Sequence, residues 1–289
     1  MSPSQILEEL FYLLPNITDY HAPQTPLHQF LKKLAHGATS ELFSDTERKA
    51  VNLQPFGDLI FPYRKMGEID SINLFDLDEL IIFSFYLLNR NNYRNVLDAG
   101  ANLGLHSLLL DKCGFQVRCF EPDPVHYKLL EENLDSNKSG NVQANNRAVS
   151  THKGEAEFIR VLGNTTGSHL AGCKKDPYGN LEKFKVEVVD IRPHLEWANL
   201  VKMDIEGHEK EILLSTSREL WETTDALVEV QDQGNAEDIF KFFTDMQVNL
   251  FPQKINWKCA KTIADIPVNS REGTLFISCK EKMLWHEGR

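Results

Sequence analysis

The run Asn95-Val96-Leu97-Asp98-Ala99-Gly100-Ala101-Asn102-Leu103-Gly104 constrains this chain more than any other segment. It reads as an apolar strand that ends in a carboxylate, followed by a glycine loop that opens a helix. A strand, loop and helix built to hold a pyrophosphate wants G-x-G-x-x-G, so that backbone amides at the helix N-terminus meet the phosphates. Here the spacing is Asp-x-Gly-x-x-x-Gly. An acidic residue at the strand end repels a diphosphate, which argues against NAD, and suits a cationic ligand.

About two dozen residues further on, the next strand, Gln116-Val117-Arg118-Cys119-Phe120, ends at Glu121-Pro122-Asp123. A carboxylate at the tip of the second strand of a doubly wound sheet can accept both hydroxyls of a ribose. Taken singly, each residue has an ordinary structural reading. Gly100 and Gly104 can be turn glycines, and Glu121 can cap a helix starting near Pro124. Taken in order and spacing, they point to a nucleoside that also carries a sulfonium and an ammonium. The expected cofactor is S-adenosyl-L-methionine, held between Asp98 and Glu121.

The chain around these motifs alternates strands and helices. Strands are expected at 94–98, 115–121, 142–144, 199–204 and 225–231, with helices from about 104, 124, 208 and 235. This rhythm predicts a doubly wound α/β fold, a mostly parallel sheet of Rossmann-like type covered on both faces. The C-terminal runs Val248 to Phe251 and Thr274 to Cys279 are expected to pair as a hairpin. Residues 76–289 form the expected cofactor-binding domain, opened by a helix after Asp76. Residues 155–191 interrupt it as an insertion near the active site. Residues 1–75 read as a helical cap, broken by Pro15, Pro23 and Pro26, and a hairpin turning at Met66-Gly67. This arm could serve as a surface for a homo-oligomer.

Composition narrows the functional classes. A net charge of −11 repels phosphate backbones, and the pairs Lys32-Lys33 and Lys174-Lys175 make no basic patch, so no nucleic-acid partner is expected. Five scattered cysteines without a C-x-x-C pair indicate neither a disulfide framework nor a zinc site. The N-terminus lacks a basic and apolar leader, and no long apolar run occurs, so no membrane partner is expected and a cytoplasmic location fits.

The glycine loop and Glu121 resemble those of the FkbM-like methyltransferases, a branch of the class I methyltransferase fold with a seven-stranded sheet. Further similar elements are Asn146-Arg147-Ala148-Val149-Ser150, Asn164-Thr165-Thr166-Gly167-Ser168-His169-Leu170 and Lys202-Met203-Asp204-Ile205-Glu206-Gly207. The resemblance covers roughly residues 75 to 279. It implies that Asp98, Gly100, Asn102, Gly104 and Asp204 line the methionine end of the cofactor. Glu121 and Pro122 would meet the ribose, and the turn from Asn146 to Ala148 the adenine. It also implies O-methylation of a hydroxyl on a sugar, polyketide or other small secondary metabolite. Met203 and His208 depart from the family's usual small or aliphatic residues.

An alcohol attacks a methyl group only if its proton leaves, which calls for a general base or a metal ion. Asp204, Glu206 and His208 are the expected catalytic group, with Glu209 beside them. Asp204 can be base, metal ligand or orienting group, Glu206 can steer the substrate or cofactor, and His208 has a side chain that titrates near neutrality. Capping of the following helix is the plain alternative for these acids. Glu229 is a carboxylate in the apolar run Leu227-Val228-Glu229-Val230, costly to bury without a partner. It is expected either to join Asp204 around a divalent cation such as Mg²⁺ or to form a salt bridge. Thr166, Ser168 and His169 are expected either to cover the pocket or to be ordinary loop. Asp176-Pro177-Tyr178 is only a partial match to the motif of an amine-directed nucleic-acid methyltransferase and reads as a turn. N-methylation of a small molecule or nucleic acid, and a non-catalytic interaction protein on the same fold, remain the competing functions.

Overall fold

The computed structural model describes residues 1–174 and 179–285. Lys175 and Asp176-Pro177-Tyr178, read from sequence as a turn, lie outside the described residues. The chain begins with α1 (Pro3–Leu13), where Ser2 accepts from the Gln5 N–H and Pro3 occupies the first turn. Helix α2 (Pro26–Phe43) follows, capped by Thr25. Pro26 therefore opens a helix where the sequence suggested a break, because its missing N–H is needless in a first turn. Two small antiparallel ribbons come next, β1 (Ala50–Asn52) with β2 (Asp58–Ile60) and β3 (Lys65–Met66) with β4 (Ile69–Asp70). The second turns at Gly67; the first carries no obvious periodic signal in so few residues.

Asp76 caps α3 (Leu77–Leu88), whose residues from Leu80 to Tyr86 are all buried. A helix apolar all round must be covered all round. One side is covered by the N-terminal arm, where Leu7, Phe11 and Leu14 are buried in the same core as Leu80, Phe83 and Tyr86. Each such fully buried side chain contributes about 1.5–3 kcal/mol. The other side meets the sheet.

The central elements are β5 (Asn95–Ala99), α4 (Leu105–Lys112), β6 (Gln116–Phe120), α5 (Pro124–Asn137) and β7 (Val142–Asn145). A second sheet then leaves the main one, with β8 (Ala148–Ser150), β9 (Gly154–Val161), β10 (His169–Leu170) and β11 (Leu181–Asp190) in the order β10-β9-β11-β8. The chain returns through α6 (Arg192–Trp197), β12 (Leu200–Met203), α7 (Glu209–Leu214), β13 (Asp225–Val228), α8 (Gln233–Asp245), β14 (Asn249–Pro252) and β15 (Leu275–Ser278).

The main sheet has seven strands in the order β14-β15-β13-β12-β5-β6-β7. Neighbours from β7 to β13 are parallel, and β15 runs antiparallel to both β13 and β14. The two C-terminal strands pair as expected, across a long connection in place of a tight hairpin. Strand order reverses between β5 and β12, and that reversal opens a crevice outside the carboxyl ends of the strands. Arg160 of β9 fixes the second sheet beside this crevice, its guanidinium meeting both oxygens of Asp123 at 2.6 Å. Among the described residues no helix is long and apolar enough to cross a membrane.

Candidate active site

Four strand ends converge on a cavity of about 320 Å³. Gly100 to Asn102 follow β5, Glu121 and Pro122 follow β6, Asp204 to Glu206 follow β12, and Glu229 follows β13; all line it. Ala148 and His208 also lie on the wall, and Asn164 to Thr166 with Ser168 cover it from the second sheet. His169 does not line the cavity; its Nδ1 instead meets the Gly167 carbonyl at 3.0 Å.

The glycine loop is shaped by close approach. Gly100 has φ +83°, and a Cβ there would lie 1.8 Å from the Asp204 carbonyl oxygen. The loop can thus pass directly over the end of β12 only with glycine at this position. Gly104, at φ +86°, opens α4 and packs against Leu130, so it shapes the loop from behind the wall.

Glu121 is 6% exposed and holds two backbone donors, the Asn102 N–H on Oε2 and the Asp123 N–H on Oε1, each at 2.8 Å. Helix α5 is capped by Asp123, not by Glu121. Burial pushes the Glu121 carboxyl up to about 8. A carboxylate so desolvated gains from donors, and its remaining lone pairs face a cavity where a ribose diol can supply them. Asn102 Oδ1 is also buried there without a partner. Asn146 is a brace: its amide donates to the carbonyls of Glu121 and Pro122 at 2.8 and 3.2 Å.

Asp98 stands away from the cavity wall. It is fully buried, accepts from Ser107 Oγ at 2.6 Å, and has Oδ1 3.9 Å from Lys202 Nζ. The sequence reading missed Lys202, although a charge inside the apolar strand Leu200–Met203 is the same signal that singled out Glu229. Lys202 Nζ donates to the Gly100 carbonyl at 3.2 Å and lies 3.7 Å from Asp204 Oδ2. Burial works against its charge, but Asp204, foremost, with Asp98 and Glu79 outweighs burial and raises its pKa. The result is a permanent cation in the wall.

Asp204 and Glu229 stand on the same cavity wall, close enough for the Asp204 charge to act on Glu229. Two like charges in one buried site disfavour joint ionisation, so one of the pair tends to keep its proton. Burial and the Asp204 charge drive Glu229 well above the ordinary carboxyl range, whereas for Asp204 the Lys202 ammonium outweighs burial and lowers it. The proton therefore rests on Glu229. This arrangement does not fit the expected Mg²⁺ site: a divalent ion on Asp204 would sit within a few ångströms of an ammonium. Among the described residues, no group of three or more His, Cys, Asp or Glu side chains is arranged to hold a metal.

The turn after β12 is strained and clamped. Glu206 adopts φ +59°, a conformation that costs a side-chain-bearing residue about 1–2 kcal/mol. Buried Glu209 holds it, accepting the N–H of Ile205 at 2.7 Å and of Gly207 at 2.9 Å. Glu206 is thereby directed into the cavity, where it pairs with Lys174. Burial, reinforced by the Asp204 charge, raises Glu206 to about 7. His208 is partly occupied, with Nε2 2.9 Å from Ser150 Oγ and Nδ1 3.5 Å from Glu211, and burial lowers its pKa.

The fold and cavity together define a class I methyltransferase architecture, with a nucleoside-sized crevice at the strand reversal. The sequence profile described as the methyltransferase FkbM domain matches residues 98–254, and the chain belongs to that family. Relatives include the hexuronic acid methyltransferase AglP of Haloferax volcanii, 25% identical over 159 residues, which cover 55% of this chain and 65% of that protein. Methyltransferase sdnD of Sordaria araneosa is 30% identical over 160 aligned residues, covering 44% of this chain and 62% of its own. The chain thus spans a little under two-thirds of these relatives' lengths. Among solved structures, the S-adenosylhomocysteine-bound methyltransferase PaMTH1 of Podospora anserina matches at 11% identity with a TM-score of 0.37, covering 69% of this chain and 78% of its own.

Proposed function

We propose that this protein transfers a methyl group from S-adenosylmethionine to a hydroxyl of a small molecule. The observation that carries the reading is one cavity lined at once by the Gly100 loop, the buried Glu121 carboxylate and the Lys202, Asp204 and Glu229 group. Glu121 is placed to accept the ribose hydroxyls, and the strained loop at Gly100 leaves room for the methionine end. When bound, the cofactor supplies an electrophilic methyl on sulfonium. Asp98 contributes through Lys202 and Ser107, setting the charge behind the wall instead of touching the ligand.

Asp204, held ionised by Lys202, is the group suited to take the acceptor's proton as the carbon–oxygen bond forms and the carbon–sulfur bond breaks. Its distal partner Glu229 is already protonated, so the site has one vacant base. Lys202 favours oxygen over nitrogen as the acceptor atom, because a fixed ammonium stabilises an oxygen gaining negative charge and repels a cationic amine. The name of AglP, a hexuronic acid methyltransferase, supports a small polar acceptor for a chain of this family.

The test is calorimetric titration with S-adenosylhomocysteine, with NAD as the control, followed by methyl transfer from labelled cofactor to hydroxylated acceptors. Saturable binding of S-adenosylhomocysteine and a methyl ether product are expected. Binding of NAD alone, or a product methylated on nitrogen, overturns the corresponding half of the proposal.

A further inference from the structure

A second cavity, of about 520 Å³, adjoins the first. Glu79, His106, Lys202, Asp204 and Glu229 line both, so the proton-accepting group stands at their junction. Asn73 and Ser270 also line both, Met203, Leu227 and Val228 add the ends of β12 and β13, and the N-terminal arm lines only the second of the two. Gln24, Gln29 and Lys32 arrive from the N-terminal arm, Asp76 and Asp78 from the start of α3, and Arg271, Gly273 and Thr274 from the approach to β15.

These segments are tied into one frame. Asp78 Oδ1 meets His28 Nε2 at 3.0 Å and accepts from Gln253 Nε2 at 2.5 Å, while Gln253 Oε1 accepts the Thr274 N–H at 3.1 Å. Lys32 Nζ lies 2.5 Å from Asp76 Oδ2 and 3.6 Å from Asp78 Oδ2. The arm, the start of α3 and the 270s segment are thus held at fixed distances around the space. His106 is fixed at the junction by Tyr86 Oη at 3.0 Å on Nδ1 and by Glu79 Oε2 at 2.9 Å on Nε2. In-line transfer needs the electrophile and the nucleophile on opposite sides of one point, each held by its own site. Two cavities meeting at Lys202, Asp204 and Glu229 provide that arrangement.

We infer that the second cavity is the acceptor site, that the N-terminal arm is its specificity wall, and that it takes a hydroxyl-rich, non-aromatic molecule such as a glycosyl unit. The inference rests on reading the first cavity as the cofactor's. The chemical class follows from the wall. Its carboxylates, amides and hydroxyls can each accept from or donate to an acceptor hydroxyl, beside the apolar side chains of Ile82, Met203, Leu227 and Val228. No Phe, Tyr or Trp lines it among the described residues, so an aromatic acceptor meets no phenyl or indole ring to stack on.

The experiment uses the full chain and saturation-transfer NMR with the methyl hexopyranosides of gluco, galacto and manno configuration, with catechol as the aromatic comparator, at saturating S-adenosylhomocysteine. Thr274→Trp fills the second cavity and leaves the first cavity's wall intact. Gln24→Trp, at an exposed position on the rim, does so with less risk to folding. The expected result is transfer to at least one glycoside that falls at least fivefold in both variants, with S-adenosylhomocysteine affinity within twofold of wild type. Transfer to catechol alone overturns the class. Glycoside transfer unchanged in both variants, or no transfer to any probe, overturns the placement. Loss of S-adenosylhomocysteine binding by the wild type itself points to failure of the cofactor reading, which the same titration reports separately.

Discussion

Glu121 Oε2 accepts the backbone N–H of Asn102 at 2.8 Å, joining the tip of β6 to the glycine loop after β5. One carboxylate therefore has two tasks, holding the loop in place and facing the cavity. Its removal should weaken both the fold and the ligand site.

Glu121→Ala leaves the N–H groups of Asn102 and Asp123 without partners, at about 1–3 kcal/mol each. The melting temperature should drop together with affinity for S-adenosylhomocysteine. Glu121→Gln keeps the shape and one acceptor oxygen but loses the charge that the carboxyl carries above about pH 8, where the comparison is made. Hydrogen bonds to a charged group are worth about 1.5–3 kcal/mol, so affinity should fall by about tenfold or more with a smaller loss of stability. Calorimetry and thermal melts on the two variants separate the tasks; equal affinity in wild type and Glu121→Gln would remove Glu121 from the ligand site.

Burial raises Glu121 and Glu209 to about 8 and Glu206 to about 7. In the unfolded chain these carboxyls lose their protons near 4.5, so above that pH the folded state binds more protons than the unfolded one. Stability must then fall as pH rises towards 8. Between about 4 and 6.5 the buried histidines oppose this trend, since His21 is lowered to about 4 and gains stability as pH rises. The decline should therefore emerge between about pH 6.5 and 8. Melts across that interval should show it, and Glu209→Gln should flatten it; a rising melting temperature would contradict the assignment.

Lys202→Met removes the cation that keeps Asp204 ionised. If Asp204 is the base, kcat should fall by roughly 10²–10⁴-fold, the usual contribution of a positioned base. The acid limb of the pH profile should move to higher pH, because Asp204 without Lys202 holds its proton more tightly. Asp204→Asn should lose as much rate and show no such limb. A Lys202→Met enzyme with reduced rate but an unshifted limb would assign Lys202 a structural role alone.

Gly100→Ala places a methyl group 1.8 Å from the Asp204 carbonyl at a backbone φ of +83°. Strain of about 1–2 kcal/mol adds to overpacking of about 1–3 kcal/mol. The variant should melt several degrees lower, and affinity for S-adenosylhomocysteine should fall with it, because the loop can relieve the overlap only by moving away from β12. An unchanged melting temperature would show that the loop has more freedom than this packing allows.

The sequence by itself determined the glycine loop, the acidic tip of the second strand, the α/β alternation and the crowding of Asp204, Glu206 and His208 after one strand. Those features are local: a positive φ needs glycine, a covered strand needs an apolar run, and a helix start needs a cap. Tertiary structure alone decided which carboxyls face the cavity. Asp98 and Asp204 both end parallel strands and look alike in sequence, yet Ser107 and Lys202 enclose the first, and Glu229 joins the second. It also placed the Lys202 ammonium beside Asp204, which lowers that carboxyl while burial and the Asp204 charge raise Glu229. The second cavity lay further out of reach, since Gln29, Asp78 and Thr274 meet only because α2, α3 and the segment before β15 pack together, and no pattern within one segment records a contact made across more than two hundred residues.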